Sequence, residues 1–318
     1  MTLRRLSTVA VVVTYLHLVF GGIVRISGSG MGCGDNWPLC NGAVVPDLSN
    51  PIVAIELTHR LLATLVILTI AALTWTAYRR RDETGVSGPG GVLRAATTAL
   101  VLVVAVALLG MVTVKLGNRP IATVAHWTLA LTLLGVVLAT AARAGAFGGD
   151  AARVHGGSAR AARSLGAGAA MAFLAVVLGG LVAKFPDAAV ACRSFPLCGD
   201  HAPNLAAGAA HLQMTHRIVA YVLFFHVLGI GMAIGRRATE AAGVKRAARA
   251  AMLLVLLQLG LGAAMVMAML PPVLRSLHQA VGILVWMTLF LGTYLARLAS
   301  GSTQATREVI APREAVRA

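Results

Sequence analysis

The sequence predicts an all-α integral membrane protein: eight transmembrane helices in two tandem, pseudo-symmetric four-helix bundles, with both termini in the cytoplasm. Three observations carry that prediction. Of the 318 residues, 58% are hydrophobic and only 12% charged, about half the charge of a soluble domain. The apolar residues gather into eight runs, about 6–25, 53–77, 95–115, 121–142, 165–184, 209–235, 250–270 and 274–296, each near the roughly 20 residues that cross a bilayer. Short motifs of the first half recur in the same order in the second, as in a duplicated architecture.

The net charge of +16, from 27 basic and 11 acidic residues, would suggest nucleic acid in a soluble protein. Its distribution points elsewhere. Arg4 and Arg5 precede the first run, and Arg79, Arg80, Arg81 and Arg94 flank the second gap. Arg143, Arg153, Arg160 and Arg163 lie in the fourth gap, and Arg236, Arg237, Lys245, Arg246 and Arg249 in the sixth. Arg297, Arg307, Arg313 and Arg317 lie in the tail. Basic residues in every second gap follow the positive-inside pattern, so the expected surroundings are a lipid bilayer and no nucleic acid.

Taken in order, the apolar stretch from Leu6 to Val24 is long for a signal peptide and lacks a clear cleavage site. It is read as the first membrane helix, entered from the cytoplasm. Long outer loops rich in Gly, Asn, Asp and Pro join the first pair of helices (26–51) and the fifth to the sixth (185–208). The other outer turns, 115–120 and 270–273, are tight. The Ala/Gly/Arg-rich stretch 143–164 reads as a flexible linker at the midpoint. The expected division is 1–148 for the first bundle, 149–164 for a cytoplasmic linker, 165–298 for the second bundle and 299–318 for a cytoplasmic tail.

The repeats locate the candidate site. Gly21-Gly22-Ile23-Val24 recurs as Gly179-Gly180-Leu181-Val182, and Trp37-Pro38-Leu39-Cys40 as Phe195-Pro196-Leu197-Cys198. Glu56-Leu57-Thr58-His59-Arg60 recurs as Gln213-Met214-Thr215-His216-Arg217, and His126 is matched by His278. Polar groups in a bilayer are costly enough that each is a functional candidate. Counted from the outer turns, the four histidines lie roughly 9–12 Å into their helices, two per bundle and at similar depth. Facing histidines in a helix bundle hold a haem iron axially. A bare zinc or copper ion would want a tighter donor cluster, and only Glu56 and His59 are adjacent on a helix face. The plainest alternative is that each histidine bonds a neighbouring helix.

Arg60 and Arg217 follow two of the histidines, placed either for haem propionates or for snorkelling to the interface. Proximity favours the disulfides Cys33–Cys40 and Cys192–Cys198 in an oxidising compartment, with redox activity an alternative. His17, His155, His201, His211 and His226 are assigned packing or loop positions, and Met265, Met267 and Met269 to packing.

The Gly28-Ser29-Gly30-Met31-Gly32-Cys33 loop, the Trp37-Pro38-Leu39-Cys40 segment, Glu56-Leu57-Thr58-His59-Arg60 and the second-half histidines resemble the haem A synthase family over nearly the whole chain. The resemblance implies oxidation of the C8 methyl group of haem O to a formyl group, giving haem A for cytochrome oxidase, with oxygen from water. It implies haem b as cofactor on His216 and His278, substrate haem O on His59 and His126, and Glu56 as the catalytic carboxylate. It also implies the paired loop cysteines, and a bacterial plasma membrane with the histidines on the extracytoplasmic side. Haem O synthase, cytochrome oxidase assembly factors and an electron acceptor such as a quinone are the implied partners. Asp35-Asn36 departs mildly from the family pattern, and Asp35 is given no role.

The residues support the same reading independently. A carboxylate one turn from an axial histidine can accept a proton or stabilise a developing positive charge, and the amide of Gln213 does neither comparably. The alternatives are a di-haem electron carrier linked to quinol and a haem-handling assembly protein.

Overall fold

The computed structural model describes residues 1–154, 156–199 and 208–315, with side chains through residue 301. His155, His201 and the side chains of Arg307, Arg313 and Arg317 lie outside the described residues. Eight helices are long and apolar enough to cross a membrane, and no strand occurs among the described residues. They are α1 (Leu3–Ile26), α2 (Pro51–Arg79), α3 (Val92–Lys115), α4 (Pro120–Arg143), α6 (Ala159–Lys184), α7 (Ala209–Arg236), α8 (Ala242–Met267) and α9 (Pro272–Ala315), with a short α5 (Gly149–Val154) at the midpoint.

The helix starts are written locally. Thr2 accepts a hydrogen bond from the Arg5 N–H (3.2 Å). Asn50 accepts from the Ile52 N–H (3.0 Å) ahead of Pro51, where a missing N–H costs nothing. Hydroxyls facing lipid are satisfied within their own helix: Thr58, Thr69 and Thr76 donate to the carbonyls of Ala54, Leu65 and Ala72 at 2.7–2.8 Å. A bilayer offers no other partner.

Helices α1 to α4 pack on one another in ring order, as do α6 to α9. The two groups meet through α1 against α9 and α4 against α6, with α4 also touching α9. Burial follows from this: 56% of the apolar stretch of α9 is covered, against 17% of α8. The uncovered faces of α2, α3, α7 and α8 carry Leu61, Leu68, Val101, Phe225 and Leu253, all exposed, as lipid-facing surfaces should be.

Two expectations change. Helices α3, α6 and α8 begin earlier than the apolar runs, α8 at Ala242 and not near 250. A hydropathy ruler measures hydrocarbon thickness, and a helix continues past it where Ala247, Ala248 and Ala251 still find cover. At its other end α8 stops at Met267, since Met269 and Leu270 adopt positive φ. The stretch expected to be a flexible linker is instead built into the fold. Within it α5 packs on α9, α4 and α8. Buried Glu240 accepts from the Ser158 hydroxyl and backbone N–H, and the same hydroxyl caps α6 through the Ala161 N–H (3.1 Å). Arg143 donates to the Tyr294 hydroxyl (2.6 Å) and the Gly91 carbonyl (3.1 Å).

Candidate functional site

The four predicted histidines open onto two cavities at the same end of the helices. His59 of α2 and His126 of α4 line a cavity of about 490 Å³. His216 of α7 and His278 of α9 line one of about 210 Å³. Each ring rests edge-on against a glycine of the preceding helix. A Cβ at Gly21, Gly110, Gly179 or Gly262 would lie 3.2, 3.0, 3.2 and 3.2 Å from Cε1 of His59, His126, His216 and His278. Those distances are tighter than ordinary van der Waals contact, so each glycine makes room for the ring.

The ring nitrogens show how each is held. His126 Nδ1–H donates to the Val106 carbonyl (3.1 Å), and His216 Nδ1–H to the Ala175 carbonyl (3.0 Å). A proton fixed on Nδ1 leaves Nε2 as the lone-pair nitrogen, the arrangement of a metal-ligating imidazole. The other two histidines meet side chains at the matching places. His17, the repeat partner of Ala175, stacks on His59 with ring centroids 4.3 Å apart and planes 11° apart. Gln258, the repeat partner of Val106, places its Nε2 3.3 Å from His278 Nε2. Nδ1 of His59 is buried without a hydrogen-bond partner. Paired imidazoles across an apolar cavity, cradled by glycines, suit the axial ligation of an iron porphyrin. Among the described residues no group of three or more His, Cys, Asp or Glu side chains could hold a bare metal ion.

Glu56 and Gln213 occupy equivalent posts with unlike chemistry. Buried Glu56 accepts from the Cys33 N–H through Oε2 (2.9 Å) and pairs with Arg60 through Oε1 (2.7 Å). Gln213 accepts from the Cys192 N–H (2.6 Å) and gives its amide to the Ala189 carbonyl (3.5 Å). Both anchor a loop closed by a disulfide, Cys33–Cys40 and Cys192–Cys198. Arg60 and Arg217 clamp the same loops. Arg60 Nη1 donates to the carbonyls of Asn36 and Leu39 (2.8 and 2.7 Å). Arg217 donates to those of Ser194, Leu197 and Cys192 (2.8–3.2 Å). Both guanidiniums still border their cavities.

The wall between the cavities is made by exchange. Trp127, next to His126, crosses onto Gly180 of α6, where a Cβ would meet its ring at 2.8 Å. Its repeat partner Gln279, next to His278, crosses onto Gly22 of α1, where a Cβ would meet Gln279 Nε2 at 1.9 Å. Trp127, Gln279 and Arg25 line both cavities.

His59, His126 and Glu56 line one cavity and His216 and His278 the other, and the cysteines pair as the sequence spacing suggests. His17, assigned to packing from the sequence, instead stacks on His59 and lines the first cavity, one turn from Gly21 on the same helix face. Gly110 and Gly262 were findable, since they repeat in step with the histidines they cradle. Of the other histidines, His226 bonds the Ser164 carbonyl (2.9 Å) away from either cavity, and His211, expected in the loop, is exposed in the first turn of α7.

Comparison with known proteins follows the same line. The sequence model of the COX15-CtaA family, described as "Cytochrome oxidase assembly protein", matches residues 4–290. Proteins named "Heme A synthase" from Bacillus cereus (strain AH187), Bacillus anthracis (strain A0248) and Bacillus thuringiensis subsp. konkukian are each 31% identical to this chain over 234 residues. Those matches cover 68% of this chain and 70% of each relative.

Proposed function

Because the chain belongs to the haem A synthase family of cytochrome oxidase assembly proteins, we propose that it oxidises the C8 methyl group of haem O to a formyl group. The product is haem A for cytochrome oxidase. The observation that carries this reading is a pair of matched histidine cavities of which, among the described residues, only one has a carboxylate. The cavity with Glu56 is also the larger, about 490 against 210 Å³, as suits a substrate with a long isoprenoid arm over a cofactor without one. The chain is read as two tandem bundles, residues 1–148 on the substrate side and 165–298 on the cofactor side.

In this account His59 and His126 hold the iron of haem O, and His216 and His278 hold haem b. When bound, haem b supplies one-electron transfer toward an acceptor such as a quinone. Glu56 lies one helical turn from His59 at the cavity wall. Its Oε1 pairs with Arg60 and its Oε2 with the Cys33 N–H, so the carboxylate is held in a fixed place. There it takes up a proton as the methyl carbon is oxidised, or offsets positive charge developing on that carbon. Water supplies the oxygen, and each hydroxylation releases protons and electrons. The disulfide loops border the cavities through Trp37 and Pro38 in the first and Phe195 in the second. The arginine-rich gaps orient the protein in a bacterial plasma membrane with both termini in the cytoplasm and the histidines on the far side. Haem O synthase and assembly factors are the expected neighbours.

The test is a chromatographic mass profile of haems extracted from cells with and without this protein. Haem A, with its hydroxylated precursors, should appear only when it is present. An unchanged profile alongside intact haem spectra would favour an electron carrier or a haem-handling assembly protein.

A further inference from the structure

Three cations at the histidine end of the helices have no task in the account above. Arg25, near the end of α1, borders both cavities; Lys184, ending α6, borders the first; Arg275, opening α9, borders the second. None of the three has a carboxylate partner among the described residues, where the ion pairs are Arg60–Glu56, Arg80–Glu83 and Arg237–Glu240. They differ in this from Arg60 and Arg217, whose N–H groups are spent on loop carbonyls. A cation drawn into a low-dielectric wall without an anion is costly, and an acidic ligand offsets that cost.

Arg25 is held in place from the other half of the chain. Its Nη2 donates to Gln279 Oε1 (3.3 Å), and Gln279 in turn donates to the Leu18 carbonyl (3.4 Å). Gln279 reaches that position only because residue 22 is glycine. Arg25 lies four residues beyond Gly21, the rest for the His59 ring, or about 6 Å along the helix. A porphyrin held at the histidine level with its carboxylate edge toward this end would bring those arms within reach of Arg25.

Resting on the reading of both cavities as porphyrin sites, we propose that Arg25 is a carboxylate seat shared between them. It binds an acidic arm of the porphyrin in either cavity, with Lys184 completing the seat in the first and Arg275 in the second. A guanidinium offers several N–H donors to carboxylates, so one residue can serve both ligands. A single charge divided between two anions also couples the sites: filling the first weakens the hold on the second.

The test uses the purified full-length protein carrying its own haem b. Haem O and its dimethyl ester, in which the acidic arms are blocked, are titrated into the protein and followed by Soret difference spectra. Loss of haem b to apomyoglobin is timed in parallel. The wild type should bind the free acid about tenfold more tightly than the ester, the scale of a charged hydrogen bond. Lys184→Gln should shrink that preference and leave haem b retention alone. Arg275→Gln should speed haem b loss and leave the preference alone. Arg25→Gln should do both, and Arg25→Lys, which keeps the charge and controls for folding, should recover most of each. Equal binding of acid and ester by the wild type, or wild-type values for both readouts in Arg25→Gln, would overturn the shared seat. A wild type that carries no haem b and takes up no haem O would instead overturn the porphyrin reading beneath it.

Discussion

At the scale of single residues, the two halves act as controls for each other. Gln213 shows that an amide fits the post held by Glu56, because it accepts from the Cys192 N–H as Glu56 accepts from the Cys33 N–H. Glu56→Gln should therefore fold normally and keep its b-type spectrum while losing haem A production; a variant that makes haem A at the normal rate would remove Glu56 from the chemistry. The cradling glycines give a second matched pair. Gly262→Ala places a Cβ 3.2 Å from His278 Cε1, and Gly110→Ala one 3.0 Å from His126 Cε1. Each overpacks by about 1–3 kcal/mol and turns a ring. The first should disturb the haem b spectrum and the second only the binding of haem O, both read by absorption spectroscopy. His17 has no counterpart in the second half, where Ala175 offers its carbonyl to His216 instead. Removing its ring by His17→Ala frees one face of His59, and the low-spin signal of first-cavity haem O should broaden or shift in electron paramagnetic resonance.

At the scale of elements, the two disulfide loops are built to one plan: a disulfide, an arginine clamp from the following helix, and a side-chain acceptor for a cysteine N–H. Both also carry a cis X-Pro bond, at Trp37–Pro38 and Phe195–Pro196. Closing a loop of this size is worth about 2–3 kcal/mol. Replacing Cys33 and Cys40 together by serine should leave α1 and α2 intact and open the loop to protease, read by mass spectrometry of the cleavage sites. Continued resistance would show that Arg60 and Glu56 suffice to hold it. The loop pairings were legible because the cysteines lie close in sequence. The order at the midpoint was not legible. Composition there is that of a flexible linker, and what fixes it is a contact between Ser158 and Glu240, which are far apart in the chain.

At the scale of the molecule, the histidine stations were legible because a bilayer makes every buried polar group conspicuous, and because duplication separates signal from accident. The wall between the cavities was not. That Trp127 seats on Gly180 and Gln279 on Gly22 follows from which helices of the two groups meet, α4 with α6 and α1 with α9, and no local pattern encodes that choice. Duplication with divergence then gives two cavities of one design and unequal size, with Arg25 between them. The division of labour between those cavities is the central claim, and a pair of equivalent variants tests it most directly. Purified His278→Ala and His126→Ala proteins are compared for their copurifying b-type absorption spectrum and for formyl product from added haem O. The account predicts that His278→Ala loses the b-type spectrum, whereas His126→Ala keeps it and makes no haem A. The reverse assignment, a b-type spectrum lost with His126 and kept without His278, would contradict it.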